Sequence, residues 1–359
     1  MTEQAAVSTT VPTTVPTTVP AAAVPGFGKG PLAAASRAQR PGALRLGPVD
    51  LIPWTVIALV YLLWPGQAPF AAQVLVLILF ALSLDLVLGH AGIVTLGHAA
   101  FFGLGAYTVG MLNVHLGWRE PLTALAAGGA VAGAVGVLSG LLLLRYSGLP
   151  LLMLTLATSA MLLELANYRS DLTGGFDGLS GIDPAPLFGT VAFDFSGKTQ
   201  LLYAAAVLLV CFVFVRRLTA SPFGQTLRGI RDNRRRMEAV GTPVFGHLLA
   251  VYSVSALLAG ISGALFAQVN AYVTLDVLSF ERSGGVMVML AIAGLARPYG
   301  AMTGATLYAV IEHYLANVSP EFWEFGLGVA LILIVLFARG GLLPTIERQV
   351  ARRSGRARQ

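Results

Sequence analysis

Three carboxylates stand inside long apolar runs: Asp85, Glu164 and Glu312, the last beside His313. A charge in hydrocarbon is expensive, so such groups either face a cavity, a partner or a water-filled path, or pair locally and only fix a helix in place. A second constellation is Gly89-His90-Ala91-Gly92-Ile93-Val94-Thr95-Leu96-Gly97-His98, which interrupts the apolar pattern where a short turn would suffice. Broken backbone at membrane depth is tolerated where it is buried in protein or lines a path, and it marks substrate sites. The alternative is a glycine-rich turn with its histidines at the interface. Asp85, Thr95, His98, Glu164 and Glu312 are therefore the candidate pathway residues.

A third constellation is basic. Between Arg216 and Phe245 the sequence predicts a helix near 221–241, with Ser221 to cap it, Pro222 at its first position and Gly241 to stop it. Phe223, Leu227, Ile230 and Met237 would form one apolar stripe and Arg228, Arg231 and Arg235 another. Such a helix docks a partner protein or lies on anionic lipid, unless its arginines serve only to set topology. By contrast, Gly197-Lys198-Thr199 imitates the end of a phosphate-binding loop, but Ala192 stands where the first glycine is needed. Any ATP that drives this chain is then hydrolysed elsewhere. The single Cys211 lies in an apolar run and offers neither a disulfide framework nor metal-ligand spacing.

The elements that must carry these groups are membrane helices. Of 359 residues 56% are hydrophobic and 11% charged, against roughly a quarter charged in soluble domains. The apolar runs, about 15 to 24 residues long, exceed the ten or so of a barrel strand. An all-α, polytopic bundle of about ten segments follows: Leu51–Trp64, Phe70–Leu88, His98–His115, Leu122–Leu144, Leu149–Tyr168, Leu201–Val215, His247–Asn270, Gly284–Ala296, Tyr299–Val318 and Phe322–Ala338. The first, sixth and eighth are short for a bilayer crossing of about 20 residues. Residues 1–46, with their Val-Pro-Thr-Thr repeat, bury too little to order themselves and are expected to form a disordered cytoplasmic tail without a secretory signal; residues 47–343 are expected to form the transmembrane domain and 344–359 a basic cytoplasmic tail.

Alternating compartments with the N-terminus inside puts 19 basic residues in the cytoplasm and 4 outside, so both ends are expected there. The net charge of +6 is thus a topology signal, not a nucleic-acid footprint. In this topology His90 and His98 lie at the inner face and His313 near the outer one, which excludes an enzyme built on the three. Glycines four apart (Gly129 and Gly133, Gly136 and Gly140, Gly300 and Gly304) predict close helix packing.

Several stretches resemble branched-chain amino acid ABC transporter permeases of the LivM type. Gly92 to Tyr107 (GIVTLGHAAFFGLGAY) is similar to that family's first signature, and Leu172 to Ile182 (LTGGFDGLSGI) to its outer-loop signature. Ser221-Pro222-Phe223-Gly224 with Arg228, Ile230, Arg231, Asp232, Asn233, Glu238 and Gly241 resembles its cytoplasmic loop, and Ala259 to Leu265 the helix that follows. Thr95 stands where the family usually has Ser, and Asp85 where Asn is common. The resemblance implies a pathway formed with a second, homologous permease in the cell membrane, cytoplasmic ATPase subunits that use ATP, and an extracytoplasmic binding protein. It also implies that Ser221, Pro222, Phe223, Gly224, Leu227, Arg228, Ile230, Arg231 and Glu238 couple to the ATPase. This chain itself would need no cofactor and would be no enzyme. Urea or short-amide importers of the same architecture, and a proton-driven transporter using the intramembrane acids, remain the alternatives.

Overall fold

A computed structural model describes residues 54–55, 65–186, 197–318, 325–326 and 328–329. The chain divides into two units, Met1–Arg45 and Leu46–Gln359, and the described residues belong to the second. The expected segments Leu51–Trp64 and Phe322–Ala338 fall almost wholly outside the described residues, as do the two tails.

The other eight segments are helices. We number them α1 (Ala68–Asp85), α2 (His98–Leu116), α3 (Pro121–Leu143), α4 (Leu149–Tyr168), α6 (Lys198–Ala220), α9 (Val244–Asn270), α10 (Phe280–Ala293) and α11 (Pro298–Val318); the short helices α5 (Ser170–Thr173), α7 (Pro222–Asp232) and α8 (Arg234–Ala239) lie between them. Prolines sit in the first turn of α1, α3, α4 and α7, where a missing N–H costs nothing. Six helices among the described residues, α1 to α4, α6 and α9, are long and apolar enough to cross a membrane. The sixth segment is longer than its apolar run suggested, at 23 residues, because Lys198 and Arg217 extend it into the polar zones at its two ends. The eighth stays short, at 14 residues.

The 27-residue α9 is the axis of the bundle, with α1, α2 and α3 packed around it. Glycine makes this possible. A Cβ on Gly260 would lie 2.3 Å from the Ala132 Cβ of α3, and Gly129, Gly133 and Gly136 of α3 abut Ile261, Leu257 and Ala256. Hydroxyls on α9 add bonds to α1 carbonyls, from Ser255 to Ser83 at 2.5 Å and from Ser262 to Val76 at 2.8 Å.

The two ends of the bundle differ. One carries α7, α8 and the α3–α4 turn, and is rich in arginine. At the other, Leu179 and Val273, with Ser180 and Tyr272, pair as β1 (Leu179–Ser180) and β2 (Tyr272–Val273), a two-residue antiparallel ladder that ties the 170–186 loop to the end of α9. The expected single helix near 221–241 is broken at Asn233, whose extended backbone ends α7 and whose side chain accepts the Arg236 N–H at 3.0 Å to start α8. Ser221 occupies the cap position of α7 without capping it; its hydroxyl turns back to donate to Leu218 O at 2.6 Å.

Candidate functional site: two helix breaks that meet inside the bundle

Helix α1 does not end at Asp85. It widens into a π-helical turn, Leu86–Ala91, closed by Gly92 at φ 73°. Residues 92–97 then run back into the bundle, so α2 starts well inside it. His98 donates from Nε2 to Ser83 Oγ at 2.9 Å, a polarity set because Ser83 already donates to Phe80 O at 2.6 Å. Ser83 lies about 12 Å along α1 from Ala91, taking about 1.5 Å per residue. The backbone of the break is held by α4, with Leu96 N–H donating to Thr155 Oγ1 at 3.3 Å and Gly97 seated against Thr155 O.

A second break enters from the opposite end. After α9 the 271–279 segment dips inward, with Leu278 packed where Gly103 leaves room for it and its carbonyl accepting from Ser159 Oγ at 3.3 Å. Ser279 caps α10 by accepting the Arg282 N–H at 3.2 Å. One turn on, Ser283 Oγ accepts the Ala99 N–H of α2 at 2.9 Å. Two interrupted segments, one from each end, thus cap and buttress one another within the bundle, an arrangement found where transporters place their moving parts.

The first break is also braced from the basic end. Asp85 is buried and its Oδ1 accepts the N–H of Ala296, a residue held at φ 61° in the α10–α11 turn, at 2.8 Å. His90 Nδ1 lies 3.3 Å from Asp85 O and 3.7 Å from Asp85 Oδ2. Gly89 is obligatory here, since a Cβ would stand 2.2 Å from Asp85 Oδ1 and 2.5 Å from Ala296 N. From α7, Arg231 donates to Gly89 O and lays its aliphatic stem over Gly92. The helix rich in arginine is therefore bonded to the π turn that opens the first break.

These positions change the role of several expected residues. Asp85, Thr95 and His98 do not line an open path in this chain, each being 1% exposed. Asp85 is a brace, Thr95 accepts the Gly97 N–H at 3.3 Å, and His98 is stacked on Phe80 rather than standing at the interface. Glu312 is half-buried within electrostatic reach of Arg282 and Asp276, while Glu164 is exposed on α4; among the described residues no hydrogen bond or ion pair joins the two acids. His90, His98 and His313 keep separate company, His313 against Phe70 at 4.4 Å.

The apolar stripe of the basic helix faces inward. Leu227 and Ile230 are buried in the core, Gly224 is pressed on Thr219 O, Phe223 is half-buried over the His247 ring at 5.6 Å, and Met237 packs against the core beside Gly229. What remains outward is mainly polar, including Gln225, Arg228, Arg235 and Glu238, the last paired with Arg234 at 3.1 Å. The apolar stripe that the period offers to a partner or to lipid is thus covered by the bundle itself.

Thr155, Ser159 and Ser283 are residues that pattern reading passes over. Their only signal is a hydroxyl side chain, within the apolar run of α4 for Thr155 and Ser159 and beside Glu281 and Arg282 for Ser283, which is as common at ordinary helix contacts. Among the described residues no group of three or more His, Cys, Asp or Glu is placed to hold a metal ion.

The Asp85 brace has a testable form. Asn keeps the oxygen that accepts from Ala296, so Asp85→Asn should hold uptake within about threefold and leave stability near that of the parent, whereas Asp85→Ala strands a buried N–H at a cost of about 1–3 kcal/mol. Thermal unfolding of the purified chain in detergent checks this; equal destabilisation by both would show that the charge itself matters.

The same stretch that contains both breaks matches known proteins. A family profile described as "Branched-chain amino acid transport system / permease component" covers residues 68–338. The chain is 28% identical over 324 residues to the high-affinity branched-chain amino acid transport system permease protein LivM of Salmonella typhimurium, an alignment covering 82% of this chain and 75% of that protein. The Escherichia coli protein of the same name is 27% identical over the same shares. The L-arabinose ABC transporter permease protein AraH of Azospirillum brasilense is 26% identical over 222 residues, 59% of this chain and 62% of that one. No solved structure matches at comparable significance. A helical membrane bundle with paired interior breaks, matched by that profile over most of its length, belongs to the family of branched-chain amino acid transport system permease components.

Proposed function

We propose that this chain is one of two permease subunits of an ATP-driven importer for branched-chain or related hydrophobic amino acids. The observation that carries this reading is the seating of α7 on the π turn of α1, within a chain whose named relatives include LivM permeases. A cytoplasmic ATPase that grips the outward polar face of α7, with Arg228 and Arg235, would pull on Gly89 and Gly92 through Arg231. Arginine forks suit acidic groups on such a partner. ATP is used by those subunits and this chain carries no cofactor. One relative is named as an L-arabinose permease, so arabinose is the cargo that a transport test must discriminate from the amino acids.

The arginine-rich end is cytoplasmic on the distribution of charge. The other end then meets an extracytoplasmic binding protein, and it offers an anchor. Phe176 is 88% exposed at the tip of a loop pinned by Thr173, whose hydroxyl donates to Ala166 O at 2.5 Å and accepts the Gly175 N–H at 3.2 Å. Exposed aromatics on rigid supports are the usual energetic centres of protein contacts.

The test is transport itself. Vesicles holding this chain, the second permease and the ATPase, with ATP inside and loaded binding protein outside, should accumulate labelled leucine, isoleucine or valine and not arabinose or urea. Accumulation of urea instead, or of leucine without ATP but with a proton gradient, would overturn the reading.

A further inference from the structure

Helix α4 is unlike its neighbours. Its most apolar stretch is only 17% buried within the chain, against 78% for the span that α1 begins, and it holds the bundle along one edge through Leu151, Thr155 and Ser159. Much of the rest of its circumference is exposed, as one face that is apolar throughout and a second, bordered by Leu156, that turns polar toward the Tyr168 end. Leu154, Met161, Leu165 and Tyr168 make a continuous face of large apolar side chains suited to lipid. Ala157, Ala160, Glu164 and Asn167, at spacings of three, four and three, share the other face and are all exposed. One turn before Ala157, Met153 continues this second face toward the arginine-rich end.

That second face is ill-suited to hydrocarbon at its outer half. Among the described residues Glu164 has no hydrogen bond or ion pair, and a bare carboxylate toward lipid is costly. Asn167, one turn on, adds a second polar group that lipid cannot satisfy. Inward from the carboxylate the side chains shrink to methyl groups at Ala160 and Ala157, which leaves a shallow trough running from Glu164 to Met153. On its buried edge the same helix grips both breaks, Leu96 through Thr155 and Leu278 through Ser159. A displacement of either break is therefore transmitted to α4.

We propose that the Ala157–Ala160–Glu164–Asn167 face of α4 is a wall of the aqueous path that solute follows, and that Glu164 is the group that meets the solute's ammonium. The proposal rests on the permease reading above. It moves the path from the buried Asp85, Thr95 and His98 to a face that this chain leaves open. The ligand class follows from the chemistry: a lone carboxylate at the head of a trough lined by methyl groups fits a primary ammonium carried on a compact, largely apolar body. Along this face Ala160 and Ala157 lie about 12 and 17 Å from the Tyr168 end, at about 1.5 Å per residue. That is too deep for interfacial water to wet them if the face met lipid.

The experiment uses the full-length chain assembled with its partner subunits in membranes, with Cys211 changed to Ser and single cysteines at Ala157, Ala160, Leu154 or Met161. The probe is a small cationic methanethiosulfonate, which reacts with thiolates in water and not with thiols in lipid. Ala157→Cys and Ala160→Cys should react at least about tenfold faster than Leu154→Cys and Met161→Cys. Equal, slow reaction at all four positions would overturn the wall, whether lipid or a dry contact with a second subunit covers it. For Glu164, the Gln variant should lose at least about tenfold in uptake while its membrane level and ATPase association hold, and the Asp variant should recover much of it. Wild-type uptake by Glu164→Gln would overturn the ammonium role. Absence of amino-acid uptake by the unsubstituted assembly would count against the cargo reading alone, because thiol labelling does not depend on cargo.

Discussion

Gly105→Val should leave almost no folded chain in the membrane. At this position α2 passes α9 backbone to backbone: a Cβ on Gly105 would stand 2.0 Å from Gly260 O and 2.6 Å from Gly260 C and Cα. Just under one turn further along α9, a Cβ on Gly263 would stand 1.8 Å from Phe102 O, so neither helix can slide to make room. Overpacking a core that can adjust its side chains costs typically about 1–3 kcal/mol. Here only backbone could yield, and the loss should meet or exceed that range. The yield of monodisperse protein in mild detergent should fall at least about tenfold. Gly246→Ala, where nothing lies within 4 Å, should be neutral or slightly stabilising because alanine favours helix. Normal yield of Gly105→Val would disprove the close crossing.

Arg231→Ala should uncouple the two ends of the machine without dissolving it. Its guanidinium is the α7 group that donates to Gly89 O, and its stem covers Gly92 at the point where α1 breaks. Removing it leaves α7 held to the bundle by Leu227 and Ile230 but no longer bonded to the π turn. ATPase association should persist, uptake should drop at least about tenfold, and hydrolysis should stop responding to loaded binding protein. Lysine has one point charge in place of the fork, so Arg231→Lys should recover only part. Arg228→Ala gives the contrasting pattern, since that side chain points outward: weaker ATPase association with the π turn intact. Full uptake by Arg231→Ala membranes would remove the residue from the coupling path.

Much of this architecture follows from composition and period. Long apolar runs can be satisfied in lipid only as helices, so eight segments can be read to within a few residues of where the helices lie. The interruption at 89–98 is equally visible, because three glycines and two histidines in ten residues do not continue an apolar span. The amphipathic period of 223–237 announces a surface helix.

Other features are decided only when the chain closes on itself. Periodicity identifies an apolar face but not what covers it, so the stripe on α7 reads as a docking surface by its period alone, and only the folded chain shows Leu227 and Ile230 buried beneath the helix. The same limit applies to Asp85 and Glu164, which look alike as acids in apolar runs. One is a brace to Ala296 across more than two hundred residues of sequence and the other stands open on α4, because exposure depends on neighbours that are remote in the chain. The second break, at 271–279, shows in the sequence only as the gap between the segments ending at Asn270 and starting at Gly284, which reads as an ordinary connecting loop. It becomes a break only through hydrogen bonds and contacts with α2 and α4, which no local pattern encodes.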